Sequence, residues 1–194
     1  MFYSSSSLTS INLRNFDTSQ VTSFSRIFED CKSLRSIDLS NINTKSIEIY
    51  SAFFNGCGNL TSINFGNTFK RKANIVNDMF KGCSSLISLD LSYFDTSELK
   101  DAEGLFNGCS SLKSVIMDNF DTTQATSLIN MFRSCSSLTS LYLPKFYTNN
   151  IKNENLNSMF EGCNNLKLSL YPEKCSNLIS LLPSYVELLN LTNY

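Results

Sequence analysis

The sequence contains no histidine and no tryptophan, and only three prolines among 194 residues. Without histidine, the commonest general base at neutral pH and the commonest metal ligand are both missing. Ser-His-Asp, Cys-His and most zinc-hydrolase mechanisms are thereby excluded. Charge is scarce as well: Asp, Glu, Lys and Arg make up 17% of the chain, and the net charge is −1. A nucleic-acid binder normally carries a basic patch or a strongly basic balance, and this chain has neither, so no nucleic-acid partner is expected. No apolar run is long enough to span a bilayer, so no transmembrane segment is expected either. The opening residues, Met1-Phe2-Tyr3 followed by four serines, offer neither the basic nor the apolar stretch of a signal peptide. What the chain does have is a 42% share of hydrophobic residues, enough for an ordered core.

It also has a repeat. Cys31, Cys57, Cys83, Cys109, Cys135 and Cys163 recur at intervals of 26, 26, 26, 26 and 28 residues. In that phase the chain reads MFKGCSSLISLDLSYFDTS from Met79, LFNGCSSLKSVIMDNFDTT from Leu105 and MFRSCSSLTSLYLPKFYTN from Met131. Earlier units open at Met1, Ile27 and Phe53, and a last one opens MFEGCNNLKLSL at Met159. Units this short cannot bury an apolar face alone, so they must stack.

Each unit carries L-x-x-[LIV]-x-[LFM], as in Leu34/Ile37/Leu39 and Leu86/Leu89/Leu91. Its period-2 end predicts a short strand with alternate residues buried. Phe-Asp-Thr-Ser or a relative follows, where Asp and Thr suit a helix N-cap or a turn. Apolar residues at Val21, Phe24, Ile27 and Phe28, or Ala125, Leu128, Met131 and Phe132, have the spacing of one buried helical face. Gly56, Gly82, Gly108 and Gly162 then sit where a residue at φ > 0 would stop that helix. The expected fold class is therefore α/β: a leucine-rich-repeat solenoid of about seven coils, with parallel strands on one face and helices on the other. Residues 1–170 form the solenoid, with coils starting near 1, 27, 53, 79, 105, 131 and 159, and residues 171–194 form a C-terminal capping segment. Two extra residues around Lys152 to Asn155 should bulge from the helical side. In the third unit Asn67-Thr68-Phe69-Lys70-Arg71-Lys72 replaces the Asp-Thr segment and reads as a solvated loop. In the capping segment, Val186/Leu189/Leu191 repeats the strand spacing, and a terminal helix is the rival reading.

The units running Met79 to Ser97 resemble the BspA-like leucine-rich repeats of bacterial surface proteins, and the resemblance covers roughly residues 1–170. It implies a non-catalytic module at the cell surface or secreted, adhering to host proteins, glycans or other cells. It implies no cofactor and no shared catalytic residues. Met1 falls on the Met of the repeat's own motif, which raises the expectation of a start inside a longer array.

The candidate sites follow from the phase. The six phased cysteines form a ladder with parallel side chains, poorly placed for disulfide geometry, and read as a structural column rather than a metal site. A bridge such as Cys163–Cys175 stays open. Asp17-Thr18, Asp95-Thr96 and Asp121-Thr122 form a broken column, interrupted at Asn43 and Tyr147, and read as turns more than as a calcium site. On the strand face two columns point outward. One is Ser10, Ser36, Ser62, Ser88, Ser114 and Ser140; the other is Asn12, Asp38, Asn64, Asp90, Ile116 and Tyr142, polar for four units and then apolar. With Asp118, Lys145 and Tyr147 beside it, the second column is the candidate binding surface, since exposed aromatic and aliphatic anchors favour interfaces. Asp90 and Asp118 fall on adjacent coils, but an open sheet encloses no pocket to tune a pair of carboxylates, so no enzyme is expected. Two functions are consistent with this surface: a recognition module for a cell-surface protein or glycan, or a structural spacer of a longer array, stacking end to end through its N-terminal coil.

Overall fold

The computed structural model describes residues 1–42, 46–66 and 71–191. The described residues are mostly short parallel strands and turns, with few helices. The L-x-x-[LIV]-x-[LFM] motif yields β1 (Ser36–Asp38), β2 (Ser62–Asn64), β4 (Ser88–Asp90), β6 (Ser114–Ile116) and β7 (Ser140–Tyr142). In β1, β4, β6 and β7 the central aliphatic is buried and the flanking residues turn out, as a two-residue period requires, while Ile63 of β2 is half-buried. β1 pairs with β2 in parallel, Ser36 against Ser62, and β4 pairs with β6, Ser88 against Ser114. β7 pairs with β8 (Lys167–Leu170), and β8 pairs with β9 (Glu187–Asn190). No hydrogen-bonded ladder joins β2 to β4 or β6 to β7 among the described residues.

The helices expected on the opposite side are absent among the described residues. Val21 to Phe28 and Ala125 to Phe132 are turns, and the α-helix among the described residues is α1 (Ser176–Ile179). The cause is visible in the backbone. Arg26 and Asp30 stand at φ 58° and 59°, four residues apart, and the pattern recurs at Ala52 and Gly56, Asp78 and Gly82, Gly104 and Gly108, and Asn130 and Ser134. Ile27 N–H returns to the Phe24 carbonyl and Cys31 N–H to Phe28, each closing a four-residue turn with φ > 0 at its third position, the signature of a type II turn. The N–H groups of Phe24, Arg26, Phe28 and Asp30 donate instead to Ile49, Ser51, Phe53 and Asn55 of the following unit. An α-helix would have to keep those donors for itself. Gly82 and Gly108 thus hold the left-handed conformation read from the sequence, but inside a turn rather than at a helix end.

The interior is built from columns of like residues. Phe2, Phe28, Phe54, Phe80, Phe106, Phe132 and Phe160 stack in sequence with ring centroids 5.3 to 6.0 Å apart and near-parallel planes. Such offset pairs stabilise beyond their buried area, by about 0.5–1.5 kcal/mol each. Beside them the buried Thr122 hydroxyl donates to the Tyr147 carbonyl and accepts the Tyr147 N–H, and the Thr96 hydroxyl accepts the Asp121 N–H. The Asp neighbours make Asx turns: Asp17 accepts the Ser19 N–H, Asp95 the Ser97 N–H and Asp121 the Thr123 N–H. Asp-Thr is therefore a turn joined to an inter-unit staple, with no helix to cap.

The two-residue insertion lies where it was expected. Phe106 N–H reaches Met131, whereas Phe132 N–H reaches Met159, two residues further on, and the excess is taken up by a 3₁₀ turn over Asn153–Leu156. Residues 67–70 and Asn43 lie outside the described residues. Arg71–Lys72 is not loop but strand β3, parallel to β5 (Phe94–Asp95), with the Lys72 ammonium 3.9 Å from Glu48 and 3.8 Å from Glu98. Toward the C-terminus the chain forms α1 and then β9 in place of a terminal helix. The Tyr185 hydroxyl accepts the Gly162 N–H, taking the bond that a following unit receives elsewhere.

Candidate recognition surface

The outward columns are positioned by the strands, and hydrogen bonds sort their members. Asn12, Asp38, Asn64 and Asp90 each accept an N–H from two residues on, at Arg14, Ser40, Gly66 and Ser92, over 2.8 to 3.0 Å. These are Asx turns that let the chain leave the strand, so the polar half of the column has a structural duty. Asp38 also accepts from the Asn64 amide at 3.1 Å, and its hydrogen bonds to Ser40 hold its carboxyl below the ordinary range. Lys145 donates to Asn119, one unit away. Tyr147 is half-buried, and the Lys174 ammonium lies 4.9 Å over its ring and 4.4 Å over Tyr171, which engages it with the C-terminal segment.

Ile116, Tyr142 and Asp118 remain. Ile116 is 48% exposed and Tyr142 47%, at equivalent positions of neighbouring β6 and β7. Asp118 is exposed beside them with no partner among the described residues. Ile87, directly before β4, is 51% exposed and was not singled out from the sequence. Its signal was there: Thr9, Arg35, Thr61, Lys113 and Thr139 occupy the same place in the other units, and Ile87 alone is aliphatic. The outward serines stand side by side in register, Ser36 by Ser62 and Ser88 by Ser114.

The cysteines lie on the other side of the sheet, in the core. All seven are buried and free. In the phased column each Sγ–H donates to the carbonyl of the preceding unit's phenylalanine: Cys57 to Phe28, Cys83 to Phe54, Cys109 to Phe80, Cys135 to Phe106 and Cys163 to Phe132. Cys175 stands apart and donates to Phe146. Burial pushes the thiols up, to about 12 at Cys57 and Cys109 and about 11 at Cys163 and Cys175. Burial thus keeps these thiols in the protonated form at neutral pH.

Fold and surface together define a mainly-β protein with a repeated unit and short parallel strands. The chain belongs to the family described as Mycoplasma protein of unknown function, DUF285, whose profile matches residues 1–88 and 74–182. The two matched stretches overlap over residues 74–88, in keeping with a repeated unit. No curated protein matches the chain.

Proposed function

We propose that the chain is a leucine-rich-repeat solenoid of the BspA-like kind, in which turns replace the helices, and that its strand face recognises a protein or glycan at a cell surface. The observation that carries this reading is the exposure of Ile116 and Tyr142 at equivalent outward positions of neighbouring strands, with Ile87 also exposed directly before β4. Apolar side chains that half-face water contribute little to folding, whereas covering them on association releases about 25 cal/mol per Å². Asp90 stands in register with Ile116 and Asp118 lies two residues beyond it, so the apolar anchors are flanked by carboxylates, which suits a partner that combines apolar contact with hydrogen-bond donors.

The reading is checked by measuring binding of purified 1–194 to a panel of extracellular matrix proteins and glycans. Saturable binding to one class is expected. A clean negative across the panel from folded, monomeric protein would contradict it and favour a spacer role. The spacer has its own support in the half-buried Phe2, Leu8, Ile11 and Val21 of the first unit, an apolar end that another unit would cover.

A further inference from the structure

No hydrogen-bonded ladder joins β2 to β4 among the described residues, and an open groove lies on the strand side at this place. One open depression, about 430 Å³, lies between Ser40, Ile63, Asn64, Gly66, Asp90 and Tyr93. A second, about 440 Å³, is lined by Ser62, Ile63, Ser88, Asp90, Ser114 and Ile116. Both are open to solvent, as suits a ligand lying along the surface, and Ile63 and Asp90 line both mouths.

The inward column also changes at this point. Ile37, Leu89, Val115 and Leu141 are 3 to 8% exposed, but the equivalent Ile63 is only half-buried. The groove thus has an aliphatic floor. Around that floor stand hydrogen-bonding groups not used by the fold. Asp90 Oδ1 accepts the Ser92 N–H, and Oδ2 has no partner among the described residues. The hydroxyls of Ser62, Ser88, Ser114 and Tyr93 likewise have none among the described residues. Among the described residues, no lysine or arginine lines either mouth.

From this arrangement we propose that the groove between β2 and β4 binds a neutral oligosaccharide. A pyranose presents an apolar face of C–H groups and a rim of hydroxyls that both donate and accept. The first matches Ile63 and the Tyr93 ring; the second matches a carboxylate acceptor ringed by serine hydroxyls. An anionic sugar would meet Asp90 and be repelled. A lipid would leave the carboxylate and hydroxyls buried without partners. The site rests on the reading of the strand side as the recognition surface and names its ligand class.

The test is a titration of ¹⁵N-labelled 1–194 with maltotetraose, cellotetraose, chitotetraose and a galactose tetrasaccharide. Sialyllactose, a heparin tetrasaccharide and an uncharged Gly/Ser/Thr decapeptide serve as comparators. At least one neutral saccharide should give saturable amide shifts at Ser62–Asn64 and Ser88–Asp90, with the acidic sugars weaker. D90N keeps an oxygen for the Ser92 N–H, preserving the turn, and should weaken binding roughly tenfold by removing one charge-assisted bond. Tyr93→Ala should weaken it further. Silence from every neutral saccharide, shifts confined elsewhere, unchanged affinity in D90N, or binding of the decapeptide alone would each overturn the proposal. If the protein-and-glycan panel finds a partner that D90N binds normally but the Ile116/Tyr142 double variant does not, the saccharide groove is wrong while the recognition surface stands.

Discussion

At the scale of single residues, like side chains fall at like positions, and each column has one physical task. Phe106 shows the strongest packing: its ring lies 5.4 Å from both Phe80 and Phe132 and is fully buried. Phe106→Ala should cost about 3–5 kcal/mol, because both neighbours lose a face and a cavity is left. Thermal and urea unfolding would read this, and a loss below about 1 kcal/mol would mean that the stack closes over the gap. Asp101 behaves in the opposite sense. Desolvation, and then the charge of Asp78, hold its carboxyl above the ordinary value, although Oδ1 accepts the Glu103 N–H. A raised folded pKa means the folded protein binds the proton more readily, so the charged form lowers stability once pH exceeds both values. Asp101→Asn keeps an acceptor oxygen and removes the charge. It should melt higher than wild type at neutral pH, and the gap should close as pH falls through the folded pKa toward the ordinary aspartate value. A gap independent of pH would contradict the assignment.

At the scale of elements, the strands were legible and the turns were not. Strands declare themselves through a two-residue alternation around one buried aliphatic, and Ile37, Leu89, Val115 and Leu141 sit where it puts them. The turn segments misled because tandem four-residue turns bury Phe24, Phe28 and Cys31, which a 3.6-residue helical period places equally well on one face. What separates the two is the pair of left-handed positions four residues apart, filled by Asp78 and Gly82, or Gly104 and Gly108. One such residue can end a helix; two within a turn of each other cannot belong to one. Gly108 tests the point. Its φ is +78°, and an added Cβ would meet Gly82 backbone atoms no closer than 3.6 Å, so space is available and only the conformation resists. Gly108→Ala should therefore destabilise by about 1–2 kcal/mol, the cost of a left-handed L-residue. A neutral or stabilising result would argue for the helix that the sequence first suggested.

The surface was partly legible for a similar reason. Periodicity identifies which side chains turn outward, and Ile116 and Tyr142 do so. It does not say which outward polar groups the chain keeps for itself. Asn12, Asp38, Asn64 and Asp90 look like a binding row in the sequence, yet each closes its own Asx turn. Nor can a fixed period reveal where two neighbouring strands lack a ladder, as β2 and β4 do beside the half-buried Ile63.

At the scale of the whole molecule, the cysteine column runs from the first units to the last and reports on integrity throughout. All seven thiols are buried, and burial holds them in the protonated form. Native protein at pH 8 should therefore react with a thiol reagent only as fast as it opens, while guanidinium should release seven thiols at once. Rapid reaction of several thiols in native buffer would contradict the column. The molecule is thus divided into an inward side, where Phe, Cys and Thr join successive units, and an outward side that the fold leaves available. That division is tested most directly by one paired measurement on the Ile116→Ser/Tyr142→Ala variant: its melting temperature, and its binding isotherm to whichever panel member wild type binds. The account predicts a stability change within about 1 kcal/mol, as for surface substitutions, together with loss of saturable binding. Unfolding of the variant, or unchanged binding by a folded one, would contradict it.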